Sequence, residues 1–159
     1  MRQMNLLYGF IGLVIGIIMT GVSAYAVMPD LMILEDESRY GFDETVRMMH
    51  EETEKQGWSI PVVHDLQETM KNFGKDVRKV KVFELCHPAH AYKILSQDSE
   101  RIVVSMMPCR VAIYERADNK AYISRMNSAL MGKLMGGIVS EVMDDAARES
   151  EMIIAPLLK

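Results

Sequence analysis

Residues 109–126 have the sequence CRVAIYERADNKAYISRM, and they predict the class of fold. Residues 109–115 and 121–125 are both rich in the β-branched and aromatic side chains that favour strands. Between them, residues 117–120 supply Asp and Asn, which are common in tight turns. The stretch therefore predicts a β-hairpin, in which neighbouring strands are antiparallel.

Four more segments with strand character precede this hairpin. They are residues 32–37, 58–63, 80–86 and 101–107. Pro61 cannot donate a ladder hydrogen bond, so the second of these segments is predicted to lie at a sheet edge or to contain a bulge.

Helical segments separate the strands. They cover residues 43–56, 65–74 and 88–95, with a long helix from Asn127 onward. Asp43 and Asp65 are predicted N-caps, Gly57 a C-terminal residue and Pro88 a first helical residue. The pair Gly136-Gly137 is predicted to kink or interrupt the last helix. This order predicts an α+β domain whose antiparallel-rich sheet is covered by helices on one face.

The N-terminal segment has a different character. Residues 6–28, LLYGFIGLVIGIIMTGVSAYAVM, contain no charged residue. At about 1.5 Å per residue, a helix of this length spans the roughly 30 Å hydrocarbon core of a membrane. We therefore predict a transmembrane anchor over residues 1–28, ended by Pro29, and a single domain over residues 29–159. The alternative is a cleaved signal peptide, because Ala24-Tyr25-Ala26 has the form of a cleavage site.

The charges that flank this apolar run predict its orientation. Arg2 and the terminal amine precede the run, and Asp30, Glu35, Asp36 and Glu37 follow it. The positive-inside rule then places the N-terminus in the cytoplasm and the domain in the periplasm, as a single-pass protein of the inner membrane. Within the run, Gly12 and Gly16 form a small-xxx-small pattern that allows two membrane helices to pack closely.

Composition and motifs exclude several classes of function. The composition is that of a globular domain, with 49% hydrophobic and 25% charged residues and a net charge of -4. An acidic chain without a basic, aromatic-rich cluster argues against nucleic acid as a partner. The sequence also lacks the P-loop, the GxSxG and the HExxH motifs. These observations favour a role other than catalysis.

Several short phrases, spaced along residues 35–155, resemble a known family. They are Phe42-Asp43-Glu44-Thr45, Gly57-Trp58, His64-Asp65-Leu66, Cys86-His87-Pro88-x-x-Ala91, Pro108-Cys109-Arg110 with Tyr114-Glu115, and the late Asn127. In this order they resemble the bacterial "domain of unknown function 302" family. The resemblance implies a β-α-β4-α fold that is usually dimeric, and it implies no established reaction. The apolar N-terminal segment lies outside the pattern of that family.

Two cysteines, Cys86 and Cys109, allow three interpretations. In an oxidising compartment they could form a disulfide, which would stabilise the fold by roughly 3 kcal/mol. They could instead be thiols that line a pocket, or ligands in a thiol–metal or redox site. For a metal, the nearby candidates are His87, His90 and Met107, and soft sulfur with imidazole suits copper or zinc.

Three other residues are candidates for function. Arg110 could bind an anion or lower the pKa of a nearby thiol, although a cross-strand pair with Glu84 or Glu115 is the simpler expectation. His64 and Asp65 suggest acid–base chemistry, although Asp65 is also the predicted N-cap.

These features lead to one main hypothesis and two alternatives. The main hypothesis is a membrane-anchored periplasmic binding or accessory domain that acts in a homo-oligomer or as a subunit of a larger membrane assembly. The first alternative is a thiol-based redox or copper-handling protein that uses Cys86 and Cys109 with nearby Met and His residues. The second is a small hydrolase or isomerase that uses His64 and Asp65.

Overall fold

A computed structural model describes residues 2–159 of the protein, with side chains from residue 9 onward. The chain divides into two compact units, the first ending at Met32 and the second covering Ile33–Lys159.

The first unit is one helix, α1, which covers Arg2–Met32. Its segment Gly9–Met32 has a mean hydropathy of 2.2 and is long and apolar enough to cross a membrane, a property that signal sequences share. The prediction that Pro29 ends this helix is wrong, because Pro29 lies inside it. Proline removes one helical hydrogen bond and crowds the preceding turn, but it leaves the residues after it free to complete the last turn.

The second unit contains a five-stranded sheet. Its strands are β1 (Ile33–Glu37), β2 (Ser59–Asp65), β3 (Val80–Cys86), β4 (Cys109–Glu115) and β5 (Ala121–Met126). The spatial order is β1-β5-β4-β3-β2, and every neighbouring pair is antiparallel. The predicted hairpin is β4–β5. Pro61 lies in the edge strand β2, where the register shifts between Ser59 and Val62, so both expectations for this proline are confirmed.

Five further helices and two 3₁₀ segments complete the domain. The helices are α2 (Phe42–Lys55), α3 (Leu66–Asn72), α4 (Pro88–Leu95), α5 (Ser128–Met135) and α6 (Gly137–Ile154); the 3₁₀ segments are Asp98–Met106 and Ala155–Leu157. Asp65 caps α3 as predicted, with its Oδ1 accepting the Glu68 backbone N–H at 2.9 Å. The N-cap of α2 is Gly41, so Asp43 lies in the first turn and does not cap the helix.

The prediction of a strand over residues 101–107 is wrong. Most of this segment lies in the 3₁₀ segment Asp98–Met106, where Val103 is buried and Ile102 is 84% exposed. An apolar run becomes a strand only if it pairs with another strand, and this run instead packs Val103 and Met106 against residues of α4 and α6. With five strands, the chain has the β-α-β4-α order that the family resemblance implies, with short helices inserted.

The main core lies between one face of the sheet and the helices α2 and α6. Alternate strand residues, among them Phe83, Ile113 and Ile123, point into this core and are fully buried. Met49 of α2 and Ile153 of α6 cover them from the helix side. The antiparallel sheet with helices on one face is therefore confirmed.

Two glycines separate α5 from α6. Gly136 and Gly137 both have positive φ, 72° and 55°, so the predicted interruption of the last helix is confirmed. The two helices then pack closely, because a Cβ added at Gly132 would lie only 2.7 Å from the Cβ of Met143. Leu134, near the end of α5, is 75% exposed.

Candidate functional site

A cavity of about 460 Å³ lies beside the main core of the second unit. Its walls come from the adjoining ends of β3 and β4, from α4, from the first 3₁₀ segment and from α6. The lining is mostly apolar and includes Ile94, Val103, Met106, Met107, Val139 and Val142. A volume of this size, with a few polar groups in an apolar wall, is typical of ligand-binding sites.

Two histidines form part of this wall. Pro88 is the first residue of α4, which places His87 at the N-cap and His90 one turn later on the same side. The His87 side chain makes no capping hydrogen bond. The two rings lie 4.7 Å apart between centroids, and Trp58 lies 5.5 Å from His87 and 5.8 Å from His90.

Glu149 of α6 contacts both His90 and Trp58. Its Oε2 lies 2.9 Å from His90 Nε2 and accepts a hydrogen bond from Trp58 Nε1 at 3.0 Å. Burial acts to raise the pKa of Glu149, but the hydrogen bonds from His90 and Trp58 outweigh it and hold the pKa below the ordinary glutamate value. The carboxylate is therefore ionised at neutral pH and faces the two imidazoles.

A second contact, made by Glu151 two residues after Glu149, also holds α6 in position. Arg125 of β5 donates from Nε and Nη2 to the two oxygens of Glu151, at 2.7 Å each, and from Nη1 to Asp36. A bidentate arginine–carboxylate pair has a defined geometry. It sets the rotation of α6 against the sheet and so directs Glu149 toward α4.

His87, His90 and Glu149 together can offer one ligand atom each, and these atoms all lie within 4.8 Å of one another. We call these three residues the His-His-Glu group. The Nδ1 atoms of His87 and His90 are buried and have no hydrogen-bond partner among the described residues. Buried polar atoms are rarely left unpaired, so a missing partner at both rings indicates a site for a further group.

Sequence analysis selected the two histidines but missed Glu149. The signal was present in the helical spacing. The buried positions Val139, Val142, Ala146 and Ile153 lie on one side of α6, and positions 149 and 150 both continue the spacing of three and four residues between Ala146 and Ile153. A carboxylate in a series of buried positions requires a polar partner, which here is the pair of imidazole and indole groups.

The two cysteines are free thiols in this structure, so the disulfide interpretation is not supported. Leu85 of β3 pairs with Cys109 of β4. Cys86 is the next residue of β3, so its side chain points to the face of the sheet opposite to that of Leu85. Both cysteines still line the cavity, as does Met107. Burial raises the pKa of the Cys109 thiol, and the neighbouring Cys86 raises it further, so this thiol is disfavoured as a thiolate.

The remaining candidate residues, Arg110, His64 and Asp65, form ion pairs and a helix cap outside the His-His-Glu group. Arg110 lies across the sheet from Glu84 and donates to it at 3.2 Å, the expected cross-strand pair. His64 Nε2 lies 3.1 Å from the same carboxylate, and this contact, followed by Arg110, holds the pKa of Glu84 below its ordinary value. Asp65 instead caps α3 and binds Lys81. Neither His64 nor Asp65 lines the cavity, so the structure does not bring them together as an acid–base pair there.

Comparisons with known proteins agree with this fold. The sequence model of the family described as "Domain of unknown function DUF302" matches residues 34–157. Among solved structures, the crystal structure of an uncharacterized conserved DUF302 protein from Bacillus stearothermophilus is similar, with a TM-score of 0.68 and 18% sequence identity. The similarity covers 80% of this chain and 96% of that one. A comparison with the curated proteins finds no match. Because the family match spans most of the chain and nearly all of its second unit, this protein belongs to the DUF302 family.

Proposed function

We propose that the protein is a membrane-tethered binding domain that takes a small, largely apolar ligand into the cavity. The observation that carries this proposal is the cavity itself, with a volume of about 460 Å³ and a mostly apolar wall. The unpartnered ring nitrogens of His87 and His90 lie in the same wall and supply hydrogen-bonding groups for one polar end of the ligand.

Trp58 makes this proposal directly testable. It is the only tryptophan in the chain, and it lines the cavity beside both histidines. A ligand that enters the cavity therefore changes the emission of a single fluorophore. We expect apolar probes with one anionic group, such as anilinonaphthalene sulfonate, to shift Trp58 emission saturably in the full-length protein in mild detergent.

Two alanines of α4 provide a matched pair of variants. Ala91 lines the cavity, whereas Ala89 is exposed on the same helix and does not line it. We expect Ala91→Phe to fill part of the cavity and weaken probe binding at least tenfold, while Ala89→Phe leaves binding unchanged. Equal binding by both variants would contradict the proposal.

The tether is the second part of the proposal. We infer that α1 is retained as an anchor in the inner membrane, with the N-terminus in the cytoplasm and the second unit in the periplasm. The length and hydropathy of Gly9–Met32 support this inference. Extraction of membranes at high pH tests it, because an anchored protein stays with the lipid and a cleaved protein appears in the soluble fraction without its first residues.

We propose that the protein acts as a homo-oligomer or within a larger membrane complex, with Gly12 and Gly16 at a helix–helix contact. Among the described residues, nothing lies within 4 Å of a Cβ placed at either glycine, which supports their availability to a neighbouring helix. Crosslinking in membranes should give dimers or larger species that Gly12→Ile and Gly16→Ile reduce; crosslinking that these variants leave unchanged would reject the contact.

A thiol-based redox or copper-handling role is the second candidate. It is favoured by the presence of Cys86, Cys109, Met106 and Met107 along one cavity. The raised pKa of Cys109 argues against it, because the thiolate is both the nucleophile and the metal ligand. Rapid modification of Cys109 by a thiol reagent at neutral pH would favour this role over ligand binding.

A further inference from the structure

We infer that the His-His-Glu group binds one divalent first-row transition metal ion, with Zn²⁺ as the reference ion. The ligand atoms of His87, His90 and Glu149 all lie within 4.8 Å of one another. A tetrahedral ion with bonds of about 2.0–2.1 Å needs its ligand atoms roughly 3.3 Å apart. The largest separation between these atoms must therefore shorten by at most about 1.5 Å when the ion binds.

The donor set fits this class of ion. Imidazole nitrogen and carboxylate oxygen are ligands for zinc and its neighbours, whereas calcium and magnesium prefer oxygen alone. Two neutral imidazoles and one carboxylate neutralise one of the two charges of the ion. Glu149 Oε2 lies 2.9 Å from His90 Nε2, so the carboxylate oxygen and the imidazole already lie side by side as two ligands of one ion would.

The surroundings of the group are also those of a metal site. Ligands of bound metals are commonly held in place by an outer hydrogen bond, and Trp58 Nε1 supplies one to Glu149 Oε2. Among the residues that the structure describes, no group pairs with the buried Nδ1 atom of His87 or of His90, so one nitrogen of each ring lacks a partner. The absence of a capping bond from His87 leaves that ring available as a ligand.

Three protein ligands leave at least one coordination position open, which is the arrangement of zinc sites that bind water or substrate. His87 and His90 line the cavity, so the open position faces the space assigned to the ligand. The cavity occupant would then be an apolar molecule with one donor atom, such as a carboxylate or a nitrogen heterocycle. This last step rests on the proposed binding function, whereas metal binding itself does not.

The ligand set differs from a thiol site in a way that spectroscopy detects. Neither Cys86 nor Cys109 belongs to the His-His-Glu group. Co²⁺ bound by nitrogen and oxygen alone lacks the near-ultraviolet thiolate-to-metal band. Bound Co²⁺ should also quench Trp58, whose ring lies next to both histidines.

The test is calorimetric titration of the full-length protein in mild detergent with Zn²⁺, repeated with Co²⁺ in the spectrometer. We expect one ion per chain, quenching of Trp58 and no thiolate band. His87→Ala, His90→Ala and Glu149→Gln should each weaken binding about 100-fold or more, since even outer-sphere changes cost about 10–100-fold. Thermal unfolding of each variant shows whether it retains its fold.

The matched control is His64→Ala, which removes a histidine outside the group. Its affinity for Zn²⁺ should equal that of the unchanged protein. The inference is overturned if no ion binds, if Glu149→Gln binds as tightly as the unchanged protein, or if Cys86→Ser and Cys109→Ser abolish binding instead. If Zn²⁺ binds but the apolar probes do not, the metal site stands and the proposed ligand-binding function fails.

Discussion

The two hydrophobic clusters of the second unit differ in how completely they are filled. The sheet cluster contains Phe83, Ile113, Ile123 and Ile153, all fully buried between the strands and α2 and α6. The cavity cluster contains Ile94, Val103, Val139 and Val142, which pack among α4, the first 3₁₀ segment and α6 and border the cavity.

The difference follows from the elements that form each cluster. In the sheet, hydrogen-bonded register places alternate side chains at fixed spacings on one face, which favours close packing with the helices above, although Leu85 and Val111 at one end of this cluster also line the cavity. Short helices have no such register, and the residues between them leave space. The sheet cluster is therefore expected to contribute most of the stability, and the proposed binding site lies where packing is less constrained. Residues of α6 belong to both clusters.

The largest expected effect on stability comes from the same substitution, isoleucine to alanine, made once in each cluster. Ile113→Ala removes a fully buried side chain from the sheet cluster, whereas Ile94→Ala acts beside an existing cavity. We expect Ile113→Ala to lower the free energy of unfolding by about 4 kcal/mol and Ile94→Ala to lower it by about 2 kcal/mol, within the usual range for such changes. Urea unfolding followed by circular dichroism measures both. Equal losses would show that the cavity cluster is packed as tightly as the sheet.

The next effect tests the wall of the cavity formed by α5 and α6. Gly132→Ala adds a Cβ only 2.7 Å from the Cβ of Met143, a residue that packs on the cavity cluster. We expect a loss of about 1–3 kcal/mol from overpacking, although alanine favours a helix over glycine by about 1 kcal/mol. A gain in thermal stability instead would mean that the two helices can separate at little cost.

The smallest effect lies outside both clusters. Asp65 caps α3 and binds Lys81, and hydrogen bonds from the Glu68 backbone and from Lys81 hold its pKa below the ordinary value. We expect Asp65→Ala to cost about 1 kcal/mol and Asp65→Asn, which retains a capping side chain, to cost less. Probe binding in the cavity should not change in either variant.

The same residue gives a pH dependence with a defined sign. Because its pKa is lower in the folded protein, ionised Asp65 contributes stability above the unfolded-state pKa of about 3.9. That contribution is lost as the pH falls through the folded pKa. The difference in unfolding free energy between the unchanged protein and Asp65→Asn should therefore be constant near neutral pH and shrink below about pH 4. A difference that grows on acidification would contradict the assignment.

Sequence reasoning succeeded where a few neighbouring residues determine the conformation. The β4–β5 hairpin, the capping of α3 by Asp65 and the break at Gly136-Gly137 each depend on local chemistry. It failed over residues 101–107, where β-branched composition favours a strand but the segment instead packs against α4 and α6. Local propensity was overridden there by tertiary packing.

The candidate site could be predicted only in part for the same reason. His87 and His90 lie three residues apart, so their proximity follows from the start of α4. Their partner Glu149 is 59 residues from His90, and the Trp58 that holds it is 91 residues from Glu149. Cys86 and Cys109, the pair that the sequence suggested first, line the cavity as free thiols and lie outside the His-His-Glu group.

By itself, the sequence determined the apolar N-terminal helix, the α+β class and the start of most elements, because propensity, capping and turn formation act over a few residues. The pairing of the strands outside the β4–β5 hairpin, the place of the cavity and the carboxylate that meets the two histidines came only from tertiary structure. The position of that carboxylate depends on the rotation of α6 against the sheet, which contacts such as that of Arg125 with Glu151 hold between distant parts of the chain.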